Sequence, residues 1–119
     1  MTKISLGKKG EDIAESYLKE RGFEILQRNF HSRFGEIDLV AIDENTLVFI
    51  EVKTRLSDKF GLPEEAVTPA KLKTIDKVSD YYRSIHRDLP ESSRIDVVAV
   101  VFETEGSLRR IDLIRNVTG

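Results

Sequence analysis

Two carboxylates and a lysine stand in otherwise apolar surroundings in this chain. Asp38 lies within Ile37-Asp38-Leu39-Val40-Ala41-Ile42, and Glu51 and Lys53 lie within Leu47-Val48-Phe49-Ile50-Glu51-Val52-Lys53. Both runs are rich in β-branched residues, and Asp43-Glu44-Asn45-Thr46 between them is turn-forming, so they read as the arms of a β-hairpin. With Glu44-Asn45 as a two-residue turn, Asp43 faces Thr46, Asp38 faces Glu51 and Glu36 faces Lys53. A four-residue loop keeps these pairs and a three-residue loop does not. Strand alternation then places all four groups on one face. Opposed carboxylates repel each other, and a carboxylate in a partly dry site needs a partner or takes up a proton. A divalent cation between Asp38 and Glu51 resolves the conflict, and hard oxygen donors suit Mg²⁺ or Mn²⁺. Lys53 would stand beside that cation, able to orient a water or to stabilise an oxyanion.

These residues need elements to hold them. Leu6, Ile13, Ala14, Tyr17 and Leu18 recur at helical spacing, which predicts a helix over 6–21 with Gly22 as its stop. Gly7 and Gly10 weaken that helix and suggest close packing of its start. A first strand is expected over 23–30, before the hairpin. In the hairpin Ile37, Leu39, Ile50 and Val52 form one apolar face, and Val40, Ile42, Leu47 and Phe49 the other. Strands apolar on both faces are covered on both faces, which calls for helices on either side. Residues 56–67 read as a loop with Gly61 and Pro63 and few apolar anchors. Thr68-Pro69 then starts a helix with a capping hydroxyl and a proline at its first position. Leu72, Ile75, Val78, Tyr82 and Ile85 give this helix an apolar stripe as far as His86. A buried strand over 95–102, a turn at Glu105-Gly106 and a last strand over 108–114, toward an edge, complete the chain.

With 119 residues there is room for one domain over 1–119 and not for two. Cysteine is absent, which excludes a disulfide framework and a thiolate zinc site. No apolar run reaches membrane-spanning length and no signal-peptide core opens the sequence, so a cytoplasmic location without a membrane partner is expected. The net charge of −2 argues against a strongly basic nucleic-acid binder. Carboxylates gathered at a cation weaken that objection, because phosphate contacts depend on local clusters of Lys and Arg.

The same residues carry a family resemblance. Asp38 followed on the next strand by Glu51-Val52-Lys53 resembles the motif of the PD-(D/E)xK nuclease superfamily, with Ile37 where the eponymous proline would stand. Gly7-Lys8-Lys9-Gly10-Glu11-Asp12-Ile13-Ala14, Gly35-Glu36-Ile37-Asp38-Leu39 and Val52-Lys53-Thr54-Arg55 resemble the bacterial YraN family, also designated UPF0102, over essentially the whole chain. That family is similar to archaeal Holliday-junction resolvases. Periodicity and resemblance together imply an α/β, restriction-endonuclease-like fold of order α-β-β-β-α-β-β, with a central mixed sheet flanked by helices. The resemblance implies a Mg²⁺-dependent endodeoxyribonuclease with Asp38, Glu51 and Lys53 catalytic. It adds Glu11, on the first helix, to Asp38 and Glu51 as catalytic residue and metal ligand, and it implies a homodimer. Branched, Holliday-junction-like DNA is the substrate it suggests, with DNA favoured over RNA.

Around this centre, Glu36 is expected to support Lys53. Arg33, Arg55, Lys71 and Lys73 are candidates for phosphate contact. Lys71 and Lys73 begin the second helix, where cations oppose the helix dipole unless an anion lies between them. Asp96 reads as a partner for Arg94 or for a backbone donor, and His31 and His86 as surface residues without zinc spacing. Phe34 and Phe60 suit either base stacking or packing on their own protein. Two rivals to the nuclease are a nucleic-acid-binding module of nuclease fold with little or no cleavage, which the acidic charge favours, and a protein-interaction domain.

Overall fold

The computed structural model describes residues 3–57 and 67–118. They form α1 (Lys3–Glu20), β1 (Glu24–Ser32), β2 (Gly35–Asp43), β3 (Thr46–Leu56), α2 (Pro69–Ile85), β4 (Ser92–Phe102) and β5 (Leu108–Ile114), the order that the sequence pattern implies. The strands lie side by side in the order β1-β2-β3-β4-β5. Neighbours are antiparallel except β3 and β4, which run parallel with Thr46 against Ser92 and Glu51 against Val97. The connection from β3 to β4 passes through α2, as a parallel pair requires.

The helices cover opposite faces of the sheet. Ala14 and Leu18 of α1 pack with Leu39, Ala41, Val48, Ile50, Val98, Val100 and Phe102. Ile75, Val78 and Tyr82 of α2 pack with Phe30, Val40, Leu47, Phe49 and Ile95 on the other face. Each large apolar side chain so buried contributes about 1.5–3 kcal/mol relative to leaving it in water. The helix ends follow their sequence signals. Gly22, at φ +89°, closes α1 in a Schellman motif, with Phe23 N–H donating to Leu18 O at 3.0 Å and Gly22 N–H to Lys19 O at 3.1 Å. Thr68 caps α2, its Oγ1 accepting from Lys71 N–H at 3.1 Å.

Three expectations need correction. Several elements extend beyond their expected limits, α1 back to Lys3, β3 on to Leu56 and β4 back to Ser92. Ile85 is half exposed, because the place beyond Tyr82 is taken by His86, whose ring stacks on Tyr82 at 4.0 Å. His86 is therefore a packed residue and not a surface one. Ile37 joins the core beneath α2, not the face of Leu39. The cause lies in β1, where Asn29 adopts φ +55° between the pairs Arg28/Leu39 and Phe30/Ile37. Alternation breaks there, at the level of Asp38. Phe60, Gly61 and Pro63 lie outside the described residues.

Candidate active site

The site begins where the hairpin stops pairing. β2 and β3 are in register from Asp43/Thr46 to Leu39/Ile50, closed by the two-residue turn Glu44-Asn45 with Glu44 at φ +56°. Beyond Leu39/Ile50 the ladder ends and the strands part. Asp38 sits at this fork. Its Oδ2 accepts the Val52 N–H at 2.8 Å, so a carboxylate satisfies a β3 donor beyond the end of the β2 ladder. The Glu51 carboxyl lies close enough for its charge to act on Asp38. Burial first, then the charge of Glu51, push the Asp38 carboxyl from an ordinary 3.8 up to about 6, while the Val52 N–H and the charge of Lys71 pull the other way.

Glu51 is buried, only 6% exposed, on the face that α2 covers. Two ammonium groups reach its Oε1, Lys53 Nζ at 3.5 Å and Lys71 Nζ at 3.4 Å. Lys71 lies in the first turn of α2, so Glu51 is the anion that offsets a cation placed against the helix dipole. The sequence named Lys71 only as a phosphate contact, yet it is part of the carboxylate centre.

Glu11 approaches from α1. Burial and the charge of Asp38 raise its carboxyl above the ordinary range, against hydrogen bonds from Asn29 and Arg28. Arg28 pairs with it and with two neighbours, its guanidinium lying 3.5 Å from Glu11, 2.6 Å from Asp12 and 3.7 Å from Glu15. Sequence reasoning missed Arg28. Its signal was Glu11, Asp12 and Glu15 on neighbouring helix positions, a cluster of charge that needs a cation from another element.

The remaining candidates scatter. Glu36 does not face Lys53; the ladder ends before that pair, and Glu36 instead pairs with His31 of β1, at 3.4 Å between exposed side chains. Arg55 donates to Thr54 O at 3.1 Å, and Lys73 is exposed on α2. Arg33 is exposed in the β1–β2 turn with its guanidinium over the Phe34 ring at 4.8 Å. Asp96 is fully buried, held by Arg94 Nε at 3.0 Å and Asn116 N–H at 2.8 Å, a structural role.

Among the described residues no three His, Cys, Asp or Glu side chains converge tightly enough to form a ready cation cage. Half-buried Asp38 and buried Glu51 are nevertheless two hard-oxygen donors held near each other, a donor set that fits Mg²⁺ or Mn²⁺. No helix among the described residues is long and apolar enough to cross a membrane.

Residues 10–100 match a family described as "Uncharacterised protein family UPF0102". Similar proteins, each named as a UPF0102 protein, come from several bacteria. One from Syntrophus aciditrophicus is 49% identical over 113 residues, covering 95% of this chain and 87% of its own length. One from Syntrophomonas wolfei is 50% identical over 99 residues, covering 82% of this chain and 85% of the relative. One from Caldicellulosiruptor saccharolyticus is 42% identical and covers 98% of both chains.

Proposed function

We propose that this chain, which belongs to the UPF0102 family, is a divalent-cation-dependent endonuclease that hydrolyses DNA phosphodiester bonds, with branched DNA as its substrate class. The observation that carries the reading is the fork between β2 and β3. There the charge of Glu51 bears on Asp38, and Lys53 and Lys71 converge on one Glu51 oxygen. A half-buried Asp38 with a raised pKa beside a buried Glu51, flanked by lysines, is an arrangement that fits catalysis better than stability, since opposed carboxylates cost free energy. The resemblance of Asp38…Glu51-Val52-Lys53 to the PD-(D/E)xK motif points the same way.

Asp38 and Glu51 would hold Mg²⁺ or Mn²⁺, with Glu11 near enough to feel the charge of Asp38. The cation, when bound, would offset charge on the phosphate during in-line attack by water. Lys53 would orient that water and meet developing negative charge. Lys71 adds a second positive charge where α2 begins. Val52 N–H fixes Asp38 so that one of its oxygens is committed to the backbone and the other is left to the site.

A second reading is a nucleic-acid-binding module with little or no cleavage. It is supported by the commitment of Glu11 to Arg28 and by Lys71 standing at Glu51, where an ammonium serves as the counter-charge. Incubation of four-way-junction and linear DNA with the protein in Mg²⁺ or Mn²⁺ tests between them. The nuclease reading expects nicking that EDTA and Asp38→Asn both abolish. Binding without nicking on every substrate would transfer the assignment to the second reading.

A further inference from the structure

Away from the carboxylates, the two-residue turn between β1 and β2 carries Arg33 and Phe34 against the flank of α2. The turn is held firmly. Ser32 pairs with Gly35, Ser32 Oγ donates to Gly35 O at 3.0 Å, and Phe34 N–H donates to Ser32 Oγ at 3.1 Å. A Cβ on Gly35, which has φ +143°, would stand 2.7 Å from Thr74 Cγ2, so the turn sits hard against α2. Phe34 is nonetheless 39% exposed. Its ring meets Tyr81 edge-on at 5.7 Å, and Tyr81 in turn leans on Phe30 at 6.2 Å. Arg33, Phe34, Lys77, Asp80 and Tyr81 line an open cleft of about 500 Å³.

We propose that this cleft is a stacking site for an unpaired nucleobase, so that the substrate carries a single-stranded or splayed segment beside the scissile strand. The proposal rests on the nucleic-acid reading above and deepens it. An exposed aromatic face flanked by cations is what binds single strands without regard to sequence, because every base has a π-face and every nucleotide a phosphate. The Arg33 guanidinium already covers the Phe34 ring at 4.8 Å, in the place a base would take, and from there it can move to a phosphate. Neither Arg33 nor Lys77 is engaged by a carboxylate among the described residues. Asp80, the one acidic residue among the described residues of the lining, can accept from an exocyclic amino group.

The position relative to the carboxylates supports the assignment. Lys71, at Glu51, and Lys77, in the cleft, lie on the same helix. At 1.5 Å rise per residue they are about 9 Å apart along its axis. A strand rising about 3.4 Å per nucleotide crosses that distance in about three nucleotides.

The test compares a duplex carrying a single-stranded thymidine overhang with its blunt counterpart, by fluorescence anisotropy in EDTA so that no strand is cut. Wild type is expected to bind the overhang about tenfold more tightly. Phe34→Ala should remove that preference, within the range of about five- to hundred-fold that loss of one stacked base produces, and should leave blunt-duplex affinity and the melting temperature unchanged. Phe34→Trp should keep the preference. The chain has no native tryptophan, so the introduced indole is the sole indole reporter, and its emission should be quenched by the overhang and not by the blunt duplex. A preference that survives Phe34→Ala, or an unquenched indole, overturns the stacking site while leaving nucleic-acid binding intact. Failure of wild type to bind either duplex removes both readings. Self-association lost in Phe34→Ala would assign the cleft to a second copy of the chain and overturn the proposal.

Discussion

Asn in place of Asp38 keeps the shape of the side chain and removes its charge. If Asp38 and Glu51 hold the cation, Mn²⁺ should raise the melting temperature of the native protein by mass action, as RT ln(1 + [L]/Kd), and should leave Asp38→Asn unmoved. An equal shift in both proteins would place the cation elsewhere. The same residue sets a pH dependence. Folded Asp38 holds its proton up to about pH 6, and unfolded it releases it near 3.8. The metal-free protein therefore gains stability on acidification: the contribution is full below about pH 4 and lost as pH rises through 6. About two pH units correspond to roughly 3 kcal/mol at most. Glu11 is raised too and acts in the same direction, whereas Asp43 and Asp12, held low by arginines, contribute above their ordinary values and lose that contribution only in stronger acid. Melting in EDTA should accordingly occur at a higher temperature at pH 5 than at pH 7, and Asp38→Asn should reduce the difference. A native protein more stable at pH 7 than at pH 5 would contradict the buried pair. Lys53→Ala should lower cleavage by about two orders of magnitude or more with DNA affinity nearly unchanged. Lys71→Ala should lower both, because it removes a second positive charge beside Glu51 that a phosphate at the site would meet. Asp38, Glu51 and Lys53 were legible in the sequence because each interrupts an apolar run. Arg28 was not, since its meaning depends on a helix that it meets only after folding.

At the scale of elements, the two glycines of α1 make opposite predictions. A Cβ on Gly10 would overlap Thr54 Oγ1 and lie 3.1 and 3.2 Å from Thr54 Cγ2 and Cβ, so rotation of the threonine alone does not make room. Gly10→Ala should destabilise by about 1–3 kcal/mol, the usual cost of overpacking. A Cβ on Gly7 meets nothing within 4 Å, and Gly7→Ala should stabilise by up to about 1 kcal/mol through helix propensity. Thermal melts of the two variants check both signs, and a stabilising Gly10→Ala would mean that α1 does not press on β3. Helix ends and the hairpin register were legible, because Thr68-Pro69, Gly22 and the Glu44-Asn45 turn are local signals. The break of alternation at Asn29 and Asp38 was not. It depends on how β1 lies against β2, and without it Ile37 and Leu39 read as one face.

In the whole molecule the sheet carries different chemistry at the two ends of its hairpin. The open end holds the carboxylates and lysines. The closed end is a brace in which Asp43 accepts from Arg94 at 2.7 Å and from Arg115 at 2.8 Å, while Arg94 also holds buried Asp96. Arg94→Ala would leave Asp96 buried with the Asn116 N–H and no cation, a loss of about 3–5 kcal/mol for a broken buried pair. Its melting temperature should fall steeply while the Mn²⁺ response stays, and a lost Mn²⁺ response would show the two ends to be coupled. The layered arrangement was legible from strands apolar on both faces. Within the brace the pairing of Arg94 with Asp96 was legible, but its link to Asp43 and Arg115 was not, because those two are remote in sequence and each alone reads as surface charge.

The parallel pairing of β3 with β4 also governs how the chain can be made. Thr46 waits for Ser92, some 46 residues downstream, and the bonds between them close a long loop. During synthesis the first half emerges with β3 as an open border, Leu47 to Val52, which the finished protein buries almost entirely. Until β4 arrives, this is the stretch by which nascent or truncated chains would adhere to one another. The strand that carries Glu51 and Lys53 is thus the one most exposed to misassembly, and α2 must be translated before that hazard can end.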